Sequence, residues 1–511
     1  MKKLVCTLLA LAMALSLAAC GKPAETTPSG ETGKAVHRDT LTVGISREPK
    51  ALIPYASNDT GTSYITSLIY DKLIDTDEDM NLIPGLAESW EKIDDTHYRF
   101  HLRKGVKFHN GKELTAKDVL YTFEKNTASD ATSSTIGPVD IKNCVIEDDY
   151  TIVIALSKVY PPFLNICSLD IAAIVCKDAM EADSAGYAKN PIGSGPFKFV
   201  EWASGDYIKM DSNTSWWGGA INFDHLTLRY IPEASTRAIE AESGGVDIAQ
   251  IVVSDAQTVD ASKDVDLLVQ EILNTSYLSF NCSIEPFNNV KVRQAISMAI
   301  DAEAIVDATY YGYAKRADSF LAPAIWGYFG AESEYSKYNP EKAKQLLTEA
   351  GYPNGFSCTM ISNASQATAE MIQAYLDAIG IKVTLNVTDF SNWLDSIVNG
   401  KQQMYIGGWT VPSADASEAF TAFNSANIGK GDNRSFYGND KVDELIAKIN
   451  SEANPDTRMQ YCKELQEFLA EECVTIGLNV GVTFYAVSKD ISGFYVLPTQ
   501  SAKFHKITFA K

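Results

Sequence analysis

Side chains able to make or break bonds are present in this 511-residue chain, but their spacing assembles no reactive set. Ser194 sits between Gly193 and Gly195, yet the glycine that a nucleophile elbow needs two positions before its serine is missing. The triplet reads instead as a turn ahead of a strand over Phe197–Trp202. Asp75, Asp77 and Asp79 begin like a calcium loop. Met80 then replaces the turn glycine and Leu86 the bidentate glutamate, so these aspartates read as a hairpin tip. His97 and His101 on a strand would point the same way ~13 Å apart, too far to share a metal. There is no G-x-x-x-x-G-K-[ST] and no H-E-x-x-H. Apart from Cys6 and Cys20 near the amino end, seven cysteines remain: Cys144, Cys167, Cys176, Cys282, Cys358, Cys462 and Cys473. Their number is odd and no spacing matches a zinc ribbon or C-x-x-C pair, so they read as small buried hydrophobes. The expectation is no catalytic residue, no metal and no cofactor, although a triad assembled across the fold leaves no trace in spacing.

What such a chain does must then come from its lobes. It is 45% hydrophobic and 21% charged, globular proportions that suggest two or three domains at ~100–200 residues each. A net charge of -21 argues against nucleic acid, whose phosphates need clustered Lys and Arg. Lys2 and Lys3 followed by the apolar run Leu4–Ala19 read as a signal peptide over residues 1–19, too short for a span of ~20 residues. Leu17-Ala-Ala-Cys20-Gly21 resembles the lipobox of bacterial lipoproteins, which implies acylation of Cys20 and anchoring to the membrane. Residues 20–38 carry almost no apolar side chain and read as a tether of about 18 residues, reaching ~25 Å.

Two textures follow. Strands are expected at Leu41–Ser46, Tyr98–Arg103, Thr151–Leu156 and Leu226–Tyr230, with a capping-box helix opening at Thr115–Asp118. From Val290 helices dominate. Val292, Ala295, Ile296, Ala299 and Ile300 form one stripe, and Asn339-Pro340 and Asn454-Pro455 each cap a helix start. Helices at 367–379 and 389–399 alternate with strands at 381–387 and 404–409, the pattern of an α/β lobe.

Pro84-Gly-Leu-Ala-Glu-Ser-Trp90, Tyr98–His109, Leu114–Val119, Asn190–Phe197, Leu278–Asn281 with Pro286–Ile296, and Tyr338–Lys344 closely resemble, in order, the family 5 extracellular solute-binding proteins. These are the peptide, dipeptide and nickel receptors of ABC importers. The resemblance implies a two-lobed α/β fold of the periplasmic-binding-protein kind, class II or cluster C, with an extra small strand-rich domain. Lobe I would comprise 39–69, 191–285 and 480–511, the small insert 70–190, and lobe II 286–479. Crossovers near Asn281–Pro286 and Asn479–Thr483 would act as the hinge. A monomer would hold a short peptide between the lobes and deliver it to permease and ATPase subunits.

The same resemblance places ligand contacts. Trp409, in Gly408–Asp415, would supply a flat apolar wall. The acid that peptide binders set after this Trp to meet the ligand ammonium is Pro412 here; Asp415 is the nearest substitute, and reads equally as a loop or cap residue before a helix over 416–423. The Arg that dipeptide binders use for the ligand carboxylate has no counterpart in Cys358–Gln366. Arg47 on a cleft-edge loop, Tyr277 before the hinge, and Arg434 and Tyr437 at the far end complete the expected set. The missing end-group anchors leave room for a non-peptide solute such as an oligosaccharide, an opine-like compound or a metal chelate. An exported hydrolase is the reading from a different class.

Overall fold

A computed structural model describes residues 38–331, 333–363 and 366–510. The signal peptide, Cys20 and nearly all of the tether lie outside them.

Two antiparallel strands, Val265–Phe280 and Thr475–Ser488, run side by side through the middle of a ten-stranded sheet. On one flank Thr475–Ser488 pairs with Ile248–Ile251, beyond which follow Thr40–Ile45, His225–Tyr230, Tyr207–Ser212 and Phe197–Ala203. On the other flank Val265–Phe280 pairs with Met404–Thr410, then come Ser357–Ser362 and Lys382–Val387. The strand-rich and helix-rich halves therefore share one sheet. The ladder of the long strands breaks register between Glu271 and Tyr277, opposite Gly477–Val482. These irregularities lie at the point where partners change from one half to the other, and bulges bend and twist a strand there.

The apolar cores divide along the same line. One large cluster draws on residues from Leu41 to Ile248 and from Tyr485 to Ile507. Two others draw on Leu273 to Leu478 and Val480. The strands expected at 41–46, 98–103, 151–156 and 226–230 form within a residue or so of those limits, as does the helix Val290–Ala299. Ala116–Ala128 begins with the expected capping box of Thr115 and Asp118. Asn339 and Asn454 cap helices with proline in the first turn. In each case a side-chain oxygen satisfies an amide that the helix leaves unpaired.

A second sheet of Ala87–Lys92, His97–Leu102, Thr151–Ala155 and Val145–Asp148 forms the strand-rich insert. Phe100, Leu102 and Phe108 are buried in it, with Trp90 half-buried beside them. The chain re-enters the large sheet through Gly193-Ser194-Gly195. A Cβ on Gly193 would lie 1.8 Å from the Ile69 carbonyl oxygen, so only glycine fits. Ser194 is 1% exposed and its hydroxyl donates to Asp71 at 2.9 Å, consistent with a turn and not with a solvent-facing nucleophile. His109 secures the turn from the insert: its backbone amide donates to Gly193 and its Nε2–H to the Gly195 carbonyl at 3.0 Å.

Burial pushes His109 down to about 4, and the same cause, with Lys503 and Lys506 nearby, takes His505 to about 4. Both rings are neutral in the folded protein near neutrality and protonate first in the unfolded chain, near pH 6.5. Their depressed values therefore cost stability as pH falls from about 6.5 to about 4, on the order of 1–2 kcal/mol each for half-buried groups. Urea denaturation across this window should show a shallower acid loss for the His109→Gln, His505→Phe double variant. An unchanged slope would exclude these histidines as its source.

Candidate functional site

A cavity of about 540 Å³ opens where the carboxyl ends of the parallel strands Thr40–Ile45 and Ile248–Ile251 face the loop after Met404–Thr410. That volume is in the ~300–1,000 Å³ range of small-molecule sites, and the carboxyl ends of strands are where open α/β sheets bind ligands. The strand-rich half supplies Ser46, Arg47, the start of the helix Thr60–Ile69, Gln250, and the loop Pro498–Ser501. The insert supplies Leu169–Ile171, and the helix-rich half supplies Thr410 and Pro412.

Local chemistry fixes these walls. Glu48 accepts from the Trp202 indole N–H and the Gly205 amide, both at 2.8 Å, which pins the loop carrying Arg47 to the hairpin beside it. Gly61 lets the helix start approach this loop, because a Cβ there would meet the Glu48 carbonyl at 2.6 Å. Thr62 Oγ1 accepts from the Lys50 and Ala51 amides at 3.1 and 3.3 Å. Asp59 caps the helix, accepting from the Thr62 amide, the Thr62 hydroxyl and the Ser57 hydroxyl. Burial opposes its ionisation, but these donors and Lys50 outweigh burial and hold the carboxyl below its ordinary range. The far wall is tied down by Leu273, whose amide donates to the Pro498 carbonyl at 3.0 Å. Asn165 of the insert donates to the Ser413 carbonyl at 3.0 Å, bridging insert and helix-rich half across the opening.

The residues expected from sequence fall in three places. Arg47 lines the cavity, exposed, with only a 3.4 Å contact to Thr60 Oγ1. Trp409, Tyr277 and Arg434 gather in an aromatic cluster behind Thr410. Pleating turns Trp409 away from the face shared by Gly408 and Thr410. Its ring meets Phe320 at 6.1 Å and the Arg434 guanidinium at 4.9 Å, and Phe320 meets Tyr277 at 5.1 Å. Asp415 and Tyr437 are committed elsewhere. Asp415, expected either to receive a ligand ammonium or to cap a helix over 416–423, is 2% exposed and accepts from Arg458 Nη1 at 2.8 Å and Nη2 at 2.5 Å. It also accepts from the Ser417 amide and hydroxyl as the cap of Ala416–Phe420. Its oxygens are therefore occupied within the helix-rich half. Tyr437 donates to Glu472 at 3.2 Å and lies under Arg293, which itself pairs with Glu472.

Several lining segments escaped the sequence reading, among them Asn58–Tyr64, Leu169–Ile171, Gln250 and Pro498–Ser501. The first carries a readable cap, Asn58-Asp59-Thr60, but nothing local says that it borders a cavity. Among the described residues no group of three His, Cys, Asp or Glu is placed to hold a metal, and no helix is long and apolar enough to cross a membrane.

Comparison with known proteins agrees with this architecture. The model of the bacterial extracellular solute-binding proteins, family 5 (middle region), matches residues 81–431. Heme-binding protein A of Haemophilus influenzae is 32% identical, over 97% of each chain. The dipeptide-binding protein of Escherichia coli is 29% identical, covering 88% of this chain and 90% of its own. Among solved structures, the periplasmic binding protein DppA of Helicobacter pylori in complex with the peptide STSA superposes with a TM-score of 0.75. It is 28% identical, covering 92% of this chain and 98% of its own.

The Asp415–Arg458 pair yields a clear expectation. Removing one partner of a buried ion pair strands the other charge, at a cost of about 3–5 kcal/mol. Asp415→Ala should lower the unfolding free energy of the ligand-free protein by that order in guanidinium titration. A variant of unchanged stability that loses ligand affinity would return Asp415 to the ligand.

Proposed function

Because the chain belongs to the bacterial extracellular solute-binding proteins, family 5, we propose that it is the receptor of an ABC importer and captures short peptides. The peptide lies between a strand-rich lobe of residues 39–69, 191–285 and 480–511 and a helix-rich lobe of residues 286–479, with the insert 70–190 at one side. The carrying observation is the cavity between Arg47, the helix start at Asp59 and the loop Pro498–Ser501 on one side and Thr410 and Pro412 on the other. Its walls are rich in hydroxyls and amides, groups that satisfy peptide main chain while leaving room for varied side chains. The peptide ligands named for the Escherichia coli relative and for the Helicobacter pylori structure support the same reading.

The mechanism is capture without chemistry. Solute that touches both walls favours the closed arrangement over the open one, and the shift is limited by its differential affinity for the two. The crossovers near Asn281–Pro286 and Asn479–Thr483 are the hinge on which the lobes turn, and the irregular stretch Glu271–Tyr277 opposite Gly477–Val482 loosens the ladder beside them. Closure excludes water and strengthens each polar contact inside. The closed receptor, a monomer held at the outer membrane face by lipid on Cys20, then docks on the permease, and ATP is spent by separate subunits.

Among the described residues no histidine, methionine or cysteine lines the cavity, so it offers no histidine for a nickel chelate or a hydrolytic base, and for haem iron only its tyrosines could serve as axial ligands. Two tyrosines, Tyr64 and Tyr485, are the lining aromatics, fewer than a sugar platform would use.

A thermal-shift screen of di-, tri- and tetrapeptides should raise the melting temperature. A peptide at a hundred times its Kd adds about 2.7 kcal/mol. Stabilisation by haem, a nickel–histidine chelate or an oligosaccharide, with none by any peptide, would exclude the peptide reading.

A further inference from the structure

The charged side chains of the cavity differ in how far the protein already satisfies them, and this bears on which end of a peptide it holds. Three charged side chains line it: Arg47, Asp59 and Asp170. Both carboxylates are already engaged. Asp59 accepts three hydrogen bonds as a helix cap. Asp170 pairs with Lys72 at 3.3 Å, behind the wall. Asp415 is locked to Arg458, and Pro412, which stands on the wall, has neither charge nor N–H. Arg47 is the reverse case. Among the described residues it has no ion-pair partner, and its loop is held by Glu48. Beside it is the amino end of the ten-residue helix Thr60–Ile69. A second observation points to an absent partner: Ser501 lines the same cavity, is 4% exposed, and its Oγ has no hydrogen-bond partner. A hydroxyl buried without a partner costs free energy unless an incoming group satisfies it.

From this juxtaposition we infer that the receptor anchors its peptide by the C-terminal carboxylate, received by Arg47 and Ser501, and makes no charged contact with the N-terminus. Peptides with an acylated or cyclised amino end are then substrates as good as free ones. This rests on the peptide reading above and adds an end-group specificity to it.

The test uses the mature chain and isothermal titration. Trialanine and the three most stabilising tripeptides of the screen are each compared with their N-acetyl and C-terminal amide forms. N-acetylation is expected to change Kd by less than about threefold. Amidation should weaken binding by about tenfold or more, the worth of a charge-assisted hydrogen bond. Arg47→Met should weaken the free acids to the level of the amides and leave the amides unchanged, while Arg47→Lys restores part of the difference as a point charge. Ser501→Ala should weaken the free acids several-fold. Melting temperatures of the ligand-free variants serve as the folding control. Acetylation costing as much as amidation, or an acid-to-amide ratio that survives Arg47→Met, overturns the inference while leaving peptide capture intact. Binding of no peptide in any form overturns the function and the inference with it.

Discussion

The pairing of Val265–Phe280 with Thr475–Ser488 is the constraint from which the rest of the molecule follows. Each strand starts or ends in a different half, and each half adds its own strands to one edge of this pair. The halves cannot separate without breaking the central ladder, and in the proposed mechanism they turn where that ladder is irregular. A continuous regular sheet would resist such bending, and two domains joined by a single linker would not keep their walls in register. The cavity lies where the parallel strands of the strand-rich half end, opposite the loop that leaves Met404–Thr410. Its position is a consequence of how the sheet is shared.

The helix-rich wall depends on a second interaction. Asp415 and Arg458, 43 positions apart in sequence, bind each other out of contact with water. Arg458 also stacks over Trp326 at 4.3 Å and donates to the Ile449 carbonyl. Burying two charges is costly unless their donors and lone pairs are met, and here the Ser417 amide and hydroxyl also donate to Asp415. The pair fixes the end of the loop that carries Thr410 and Pro412, so a charge lost to ligand recognition reappears as rigidity of the wall.

Much of the fold was legible because its signals are local. Asn339-Pro340, Asn454-Pro455 and the Thr115–Asp118 box start helices in the structure as they do on paper. Alternation along Tyr98–Leu102 places Phe100 and Leu102 in the insert core. The colinear family segments added the two-lobed plan. The site was less legible, because it is made of partners distant in sequence. Nothing near Asp415 announces Arg458. Trp409 could be placed on a strand but not on the correct face of it, since that depends on the pairing of Thr275 with Trp409 across the sheet. Ser501 belongs to a turn in which Gln500 takes a positive φ of 68°, and no motif marks it as part of a cavity.

Specificity in a closing cleft is set as much by what the walls omit as by what they offer. A carboxylate at position 412 would hold a ligand ammonium strongly. When the cleft closed on a neutral end, however, it would be left buried and unpaired, a penalty larger than one lost hydrogen bond. Proline carries no such penalty. It fills the wall, fixes the backbone of the loop and leaves no group to be satisfied. Arg47 carries little penalty either, because it stays exposed at the cleft edge and remains hydrated when nothing is bound. Neither wall residue thus opposes closure when an end group is missing. A mismatched end forgoes the contact with Arg47 and leaves the Ser501 hydroxyl unpaired, as it is before binding. A neutral hydroxyl left unpaired costs ~1–3 kcal/mol, far less than a stranded charge, so discrimination at this site is graded.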